Sequence, residues 1–209
     1  GAVVVVYVNC SADVKAEADY CCTSANALRI IESIPGDQEI LFAPDMFLGE
    51  YIREKTERTI HVWMGECHVH AAIRPADVEE QLAQHPDAEL LIHPECGCVS
   101  NVMWQLSKGD LPADRTRITS TTGMIESIES SPATKFLVAT ETGILHQMKK
   151  HNPERTFLPI KADAECMYMK MITIEKLAKA LREGIHEVRV PEETASRARR
   201  AIERMVSIH

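Results

Sequence analysis

The feature that most limits the fold of this chain is a recurrence of short apolar runs rich in β-branched residues. They fall at Val3 to Val8, Glu39 to Ala43, Ile60 to Met64, Ala88 to His93, Arg117 to Ser120, Lys135 to Ala139 and Thr156 to Ile160. Runs that stay apolar over consecutive positions suit strands buried on both faces, the pattern of a parallel sheet. Helical patterns lie between them, at Ala12 to Ser33, Leu48 to Thr56, Ala76 to Gln84, Asn101 to Ser107, Gly143 to His151, Ile174 to Arg182 and Glu192 to Ser207. Strand and helix in alternation predict repeated βαβ units with right-handed crossovers. Pro35-Gly36-Asp37, His85-Pro86-Asp87 and Asn152-Pro153 punctuate the elements as turn signals. The strands form two successive sets, so the expectation is an α/β chain of two similar αβα sandwiches, 1–75 and 76–209, the second carrying the C-terminal helices.

With 209 residues, 45% of them hydrophobic, the chain can bury the core of one or two such units. Its net charge of -8 argues against a nucleic-acid partner, because phosphate binding needs a basic face. The one dense basic run, Arg197, Arg199, Arg200 and Arg204, is interleaved with Ala198, Ala201 and Ile202 at helical spacing and reads as a solvated helix face. No apolar run reaches the roughly 18 residues that cross a bilayer. The opening Gly1-Ala2-Val3-Val4 has no basic leader region, so a cytoplasmic chain without a membrane partner is expected. Seven cysteines is an odd number, and they lie outside loop-rich segments, so reduced thiols or metal ligands are expected in place of bridges.

Ligands of open α/β sheets collect beyond the carboxyl ends of the strands, and here those ends carry chemistry. They read Tyr7-Val8-Asn9-Cys10-Ser11, Ala43-Pro44-Asp45, Gly65-Glu66-Cys67-His68-Val69-His70, His93-Pro94-Glu95-Cys96, Ser120-Thr121-Thr122-Gly123, Thr140-Glu141-Thr142-Gly143 and Lys161-Ala162-Asp163-Ala164-Glu165-Cys166. Cys67 and Cys166 each follow a strand, and thiolates select zinc, copper(I) or an iron-sulfur cluster. No C-x-x-C pair nominates a zinc ribbon; Cys96-Gly97-Cys98 is the nearest local chelate. Cys10, Cys21, Cys22 and Cys98 read as small buried hydrophobes, Cys21 and Cys22 within a helix. His93 and Glu95 can divide acid and base roles, or can be a satisfied strand-end histidine and a helix cap. His68 and His70, on a segment read as extended, point to opposite sides, so at most one faces a site. Ser120-Thr121-Thr122-Gly123 and Cys22-Thr23-Ser24, the latter placed at or within a helix, can hold carboxylate or phosphate, or simply cap and turn. Neither is a phosphate loop of nucleotide-binding type.

Several of these segments, taken in order, resemble the quinolinate synthase family over nearly the whole chain. Tyr7-Val8-Asn9-Cys10-Ser11-Ala12-Asp13-Val14-Lys15-Ala16 is similar to a family Y-x-N-x-S-A-x-V-K-A pattern. It is followed by Cys22-Thr23-Ser24-Ala25-Asn26-Ala27, Trp63-Met64-Gly65-Glu66-Cys67-His68-Val69-His70, His93-Pro94-Glu95-Cys96, Ser120-Thr121-Thr122-Gly123-Met124, Ala139-Thr140-Glu141-Thr142-Gly143-Ile144 and Cys166-Met167-Tyr168-Met169-Lys170-Met171.

The resemblance implies short-sheeted αβα domains of which the family has three, related by a pseudo-threefold axis. One cysteine from each would hold a 4Fe-4S cluster, with Cys67 and Cys166 as the ligands here and the first domain absent from this chain. It implies condensation of iminoaspartate with dihydroxyacetone phosphate to quinolinate, in NAD biosynthesis, with a Lewis-acid iron. L-aspartate oxidase or aspartate dehydrogenase would supply the iminoaspartate. It further implies Tyr7, His93 and Glu95 as catalytic groups, and Tyr7, Asn9, Ser24, His93, Glu95, Ser120 and Thr121 as substrate-binding groups. Such a chain is expected to be inactive by itself. Two rivals stand beside it: a zinc or iron-sulfur module held by Cys67, Cys96, Cys98 and Cys166 without catalysis, and a metal-free binding protein for a small anionic metabolite.

Overall fold

Four consecutive valines build the first strand of the computed structural model, which describes residues 1–208. β1 (Val3–Tyr7) leads through α1 (Ala12–Ala16) to β2 (Tyr20–Cys22), then α2 (Ala27–Ser33), β3 (Ile40–Phe42), α3 (Met46–Lys55) and β4 (Ile60–Val62). These strands pair in parallel in the order β2-β1-β3-β4. Two helices, α4 (His68–Ala71) and α5 (Pro75–Gln84), lead to a second sheet that repeats the first. It runs β5 (Glu89–Ile92), α6 (Val99–Lys108), β6 (Thr116–Ile118), α7 (Thr121–Ser130), β7 (Lys135–Ala139), α8 (Ile144–His151) and β8 (Thr156–Pro159). The order is β6-β5-β7-β8, again all parallel. Then come α9 (Met167–Lys170), α10 (Ile174–Glu183) and α11 (Glu192–Val206).

The unbroken apolar runs are explained by burial on both faces. In β5, Leu90 and Ile92 enter one apolar cluster and Leu91 another across the sheet; in β1, Val5 and Val6 divide in the same way. Each such buried side chain contributes about 1.5–3 kcal/mol of transfer free energy. Helices on both faces make the αβα layering, so the expected α/β architecture is the observed one.

Two elements of the sheet layers differ from expectation. The stretch Ala12 to Ser33 is not one helix: the Asp19 carboxylate accepts the Val4 N–H at 2.9 Å, bringing the chain back beside β1. Tyr20, Cys21 and Cys22 then pair with Val5, Val6 and Tyr7. Cys21 and Cys22 are fully buried there, on a strand and not a helix, so pairing and burial overrule the helix propensity of the surrounding alanines. The second difference is α7, which starts where the Ser120 hydroxyl accepts the Gly123 N–H.

The last helix packs on the first sheet. Ala201, Ile202 and Met205 of α11 cover the face carrying Val6 and Cys21. Arg197 pairs with Glu17 at 2.7 Å, and Arg204 donates to the Asp19 carbonyl and lies over the Tyr20 ring. Part of the basic run is thus spent on packing, while Arg199 and Arg200 are solvated. By contrast α10 buries no residue, leaving Ile174, Leu177 and Leu181 exposed. Among the described residues no helix is long and apolar enough to cross a membrane.

Candidate active site at the carboxyl ends of both sheets

The carboxyl ends of the two sheets open on one cavity of about 710 Å³. From the first sheet, Tyr7 ends β1 and Asn9 follows it, Ser24 follows β2 and Cys67 follows β4; from the second, His93 and Glu95 follow β5, Thr121 opens α7, and Thr140 and Glu141 follow β7. Tyr7, Asn9, Ser24, Cys67, His93, Glu95 and Thr121, all singled out from sequence, therefore share one wall system. Ser24 sits in the loop between β2 and α2, which makes it another strand-end residue and corrects its placement within a helix. Ser120 does not line the cavity: it is buried and its hydroxyl caps α7.

Cys166 is not among the lining residues, but Met169 and Lys170 of its turn are. Cys67 and Cys166 are both half-buried and pack against the same apolar cluster under the second sheet. Their turns meet where the His68 ring stands edge-on to Tyr168, with centroids 5.6 Å apart.

The segment Cys67 to His70 is a helical turn, not an extended strand. His68 and His70 are still on opposite sides, because two residues of helix also turn the side chain by roughly half a revolution. His68 is exposed and His70 is buried. The His70 Nε2 lies 2.8 Å from Thr140 Oγ1, its Nδ1 3.3 Å from Glu95 Oε2, and its ring stacks on His93 at 4.3 Å. The loop carrying His93 and Glu95 closes tightly on this turn. Gly97 donates to the His70 carbonyl, and a Cβ at Gly97 would come within 2.6 Å of the Ala71 carbonyl oxygen.

These contacts set the protonation states. Burial opposes charge on Glu95, yet the adjacent His70 and His93 outweigh it and hold the carboxyl below its ordinary range. Burial likewise opposes charge on His70, but its contacts with Cys67 and Glu95 prevail and raise it to about 9. Burial and the His70 charge push His93 down to about 4, leaving a neutral ring whose Nε2 lies 3.1 Å from the Ser24 hydroxyl. Burial and then the Glu95 charge raise the Tyr7 phenol to about 12, keeping it protonated. Despite burial, Cys67 is lowered by the adjacent His70, which favours the thiolate.

Sequence reasoning gave no role to His70, Thr140, Asp45 or Glu141. Asp45 and Glu141 are buried carboxylates at strand ends, and their position within the chemically dense segments was the available signal. The donor atoms of Cys67, His70 and Glu95 lie within 4.8 Å of one another, and Glu95 Oε1 is buried without a hydrogen-bond partner. The four-cysteine grouping of the rival reading is not assembled: Cys96 and Cys98 are fully buried in the apolar core, and the Cys96 thiol donates to the Ala139 carbonyl.

A sequence profile of the family described as Quinolinate synthetase A protein matches residues 1–207. A quinolinate synthase of Mycobacterium sp. (strain KMS) is 50% identical over 209 residues, which are 100% of this chain and 62% of that protein. Quinolinate synthases of Mycobacterium tuberculosis (strain H37Rv) and Thermus thermophilus are 48% and 50% identical, across 100% and 99% of this chain and 60% and 64% of their own lengths. The chain therefore spans a little under two thirds of these relatives. A match along the whole chain, joined to a site whose residues converge from both sheets, means that the chain belongs to the Quinolinate synthetase A protein family.

Proposed function

We propose that this chain is the cluster-binding and proton-transferring part of a quinolinate synthase. The reaction condenses iminoaspartate with dihydroxyacetone phosphate and releases quinolinate, one phosphate and two waters. The observation that carries the proposal is one cavity lined by Cys67, His70, His93 and Glu95 together with Met169 and Lys170 of the turn that Cys166 opens.

The residues suit a 4Fe-4S cluster. Cys67 and Cys166 are soft donors presented by like turns, and the Cys67 thiolate is favoured by His70. Cys67 and Cys166 would be two ligands, with a third thiolate from the part of the relatives' length that this chain does not span. When bound, the cluster supplies a Lewis-acidic iron with an open position. Glu95, held as a carboxylate, takes protons from substrate carbon or nitrogen, and neutral His93 relays them towards Ser24. Tyr7, held as a phenol, donates to oxygen where negative charge develops. Asn9, Ser24 and Thr121 bind carboxylate or phosphate oxygens from the cavity wall, and Ser120 supports Thr121 through its cap. An enzyme releasing iminoaspartate, L-aspartate oxidase or aspartate dehydrogenase, is the proposed source of substrate.

Iron and sulfide quantitation after anaerobic reconstitution tests this. A protein of the relatives' full length should hold both in equal amount and form quinolinate, while this 209-residue chain should do neither. Quinolinate formation or an intact cluster on this chain alone would overturn the need for a third thiolate, and absence of iron from the longer protein would overturn the cluster. The proximity of Cys67, His70 and Glu95 also supports a second reading, a single zinc ion without catalysis. Its signature is a stoichiometric, colourless metal where a cluster would be brown.

A further inference from the structure

The two cysteine-bearing turns share a device that the reaction scheme does not use. Cys67 and Cys166 each open a four-residue helical turn, with φ −80° and ψ 111° at Cys67 and φ −85° and ψ 105° at Cys166. In each case a carboxylate from the end of the neighbouring strand accepts the cysteine's backbone N–H. Asp45, after β3, takes the Cys67 N–H on Oδ2 at 3.0 Å; Glu141, after β7, takes the Cys166 N–H on Oε1 at 3.3 Å. The other oxygen of each accepts a backbone N–H close by in sequence: Leu48 N of α3 at 2.9 Å for Asp45, Gly143 N at 2.7 Å for Glu141.

We propose that Asp45 and Glu141 are the positioning residues of the two metal-ligating turns, each fixing the backbone of one cysteine and so the direction of its thiol. The inference rests on the reading of Cys67 and Cys166 as ligands. Both carboxylates are buried, at 3% and 9% exposed, at the wall of the cavity. Each spends its two oxygens on two backbone donors; an amide offers one acceptor oxygen and turns its own N–H2 against the second donor. The arrangement occurs twice, at the same place in two sheets of the same strand order. Asp45 caps α3 from close by, whereas Glu141 reaches with one more methylene and is met by Lys170 Nζ at 3.6 Å, which ties the far end of the Cys166 turn to the same group. Gly143 leaves the room this needs: a Cβ there would lie 2.6 Å from Glu141 Oε2.

The test uses this chain, free of metal, labelled with nitrogen-15 at its seven cysteines so that each backbone amide is read separately by NMR. Asp45→Asn should accelerate hydrogen exchange at the Cys67 amide at least about tenfold and leave Cys166 unchanged, and Glu141→Gln should do the reverse. The buried Cys21, Cys22, Cys96 and Cys98 amides report whether the fold holds. Where they lose protection, Asp45→Glu and Glu141→Asp, which keep the charge but alter the reach, make the same comparison, and the crossed pattern is again expected. Acceleration at both cysteines together, or at neither, in the pair that keeps the buried amides protected overturns the proposal. Protection is read without metal, so failure of the cluster reading would show in iron content and leave the crossed pattern in place.

Discussion

The turns that carry Cys67 and Cys166 are alike in backbone and unlike in support. The first lies between the sheets: Val69 and Ile73, although they follow a strand of the first sheet, are buried in the core of the second, and His70 bridges to Thr140 and Glu95. The second lies at the margin, where Met167, Tyr168 and Met169 are exposed and α10 beyond them buries nothing. Direction of a thiol is thus a local matter of strand end and neighbouring acid, whereas rigidity depends on what packs around the turn. The strand ends at the cavity contrast as well. β1 ends in a neutral phenol and an amide, and β5, its counterpart, ends in a carboxylate and an imidazole with displaced titration.

The largest effect should come from removing the equivalence of the two thiols. In a protein of the relatives' length, Cys67→Ala and Cys166→Ala should each reduce bound iron to background, since under the proposed ligation each removes one of three protein ligands, while Cys98→Ala keeps it. Survival of the brown absorption in Cys166→Ala would show that the marginal turn is not a ligand turn. A smaller effect should separate the two central strand ends. Glu95→Gln, with the cluster absorption retained, should lower turnover by about 10²-fold, the usual scale for a general acid or base, and Tyr7→Phe should behave alike. Wild-type steady-state rates in both would leave His93 as the remaining proton carrier. The smallest concerns the paired serines after β2 and β6. Ser120→Ala should cost about 1 kcal/mol in urea unfolding as a lost helix cap. Ser24→Ala should leave stability nearly unchanged and raise KM, and a stability loss at Ser24 equal to that at Ser120 would remove the distinction.

The sheet strands that run apolar over several residues were legible, because burial on both faces leaves a continuous signal. β2 was not: three residues in an alanine-rich stretch give no period, and only the Asp19 contact and pairing to β1 make Tyr20 to Cys22 extended. α7 was hidden by its Ser-Thr-Thr-Gly opening, which reads as a turn until the Ser120 cap is seen. In the site, motif and strand end together brought Tyr7, Asn9, Ser24, Cys67, His93, Glu95 and Thr121 to one cavity. His70, Thr140, Asp45 and Glu141 escaped because their roles depend on partners 22 to 70 positions away, and spacing along a chain does not register such pairs.

The return of α11 to the first sheet also fixes an order of events at synthesis. Its ion pair and hydrogen bond to α1 and the following loop join residues 180 and 185 positions apart. At translation rates of about 5–20 residues per second, the Val6 and Cys21 face waits on the order of ten seconds for the helix that covers it. During that interval the nascent chain presents a partly finished parallel sheet, the kind of surface that associates wrongly with other chains. The helix that seals this sheet is therefore made well after the strands it covers, and a chain that loses residues 192–206 should leave the Val6 and Cys21 face bare and prone to associate with other chains.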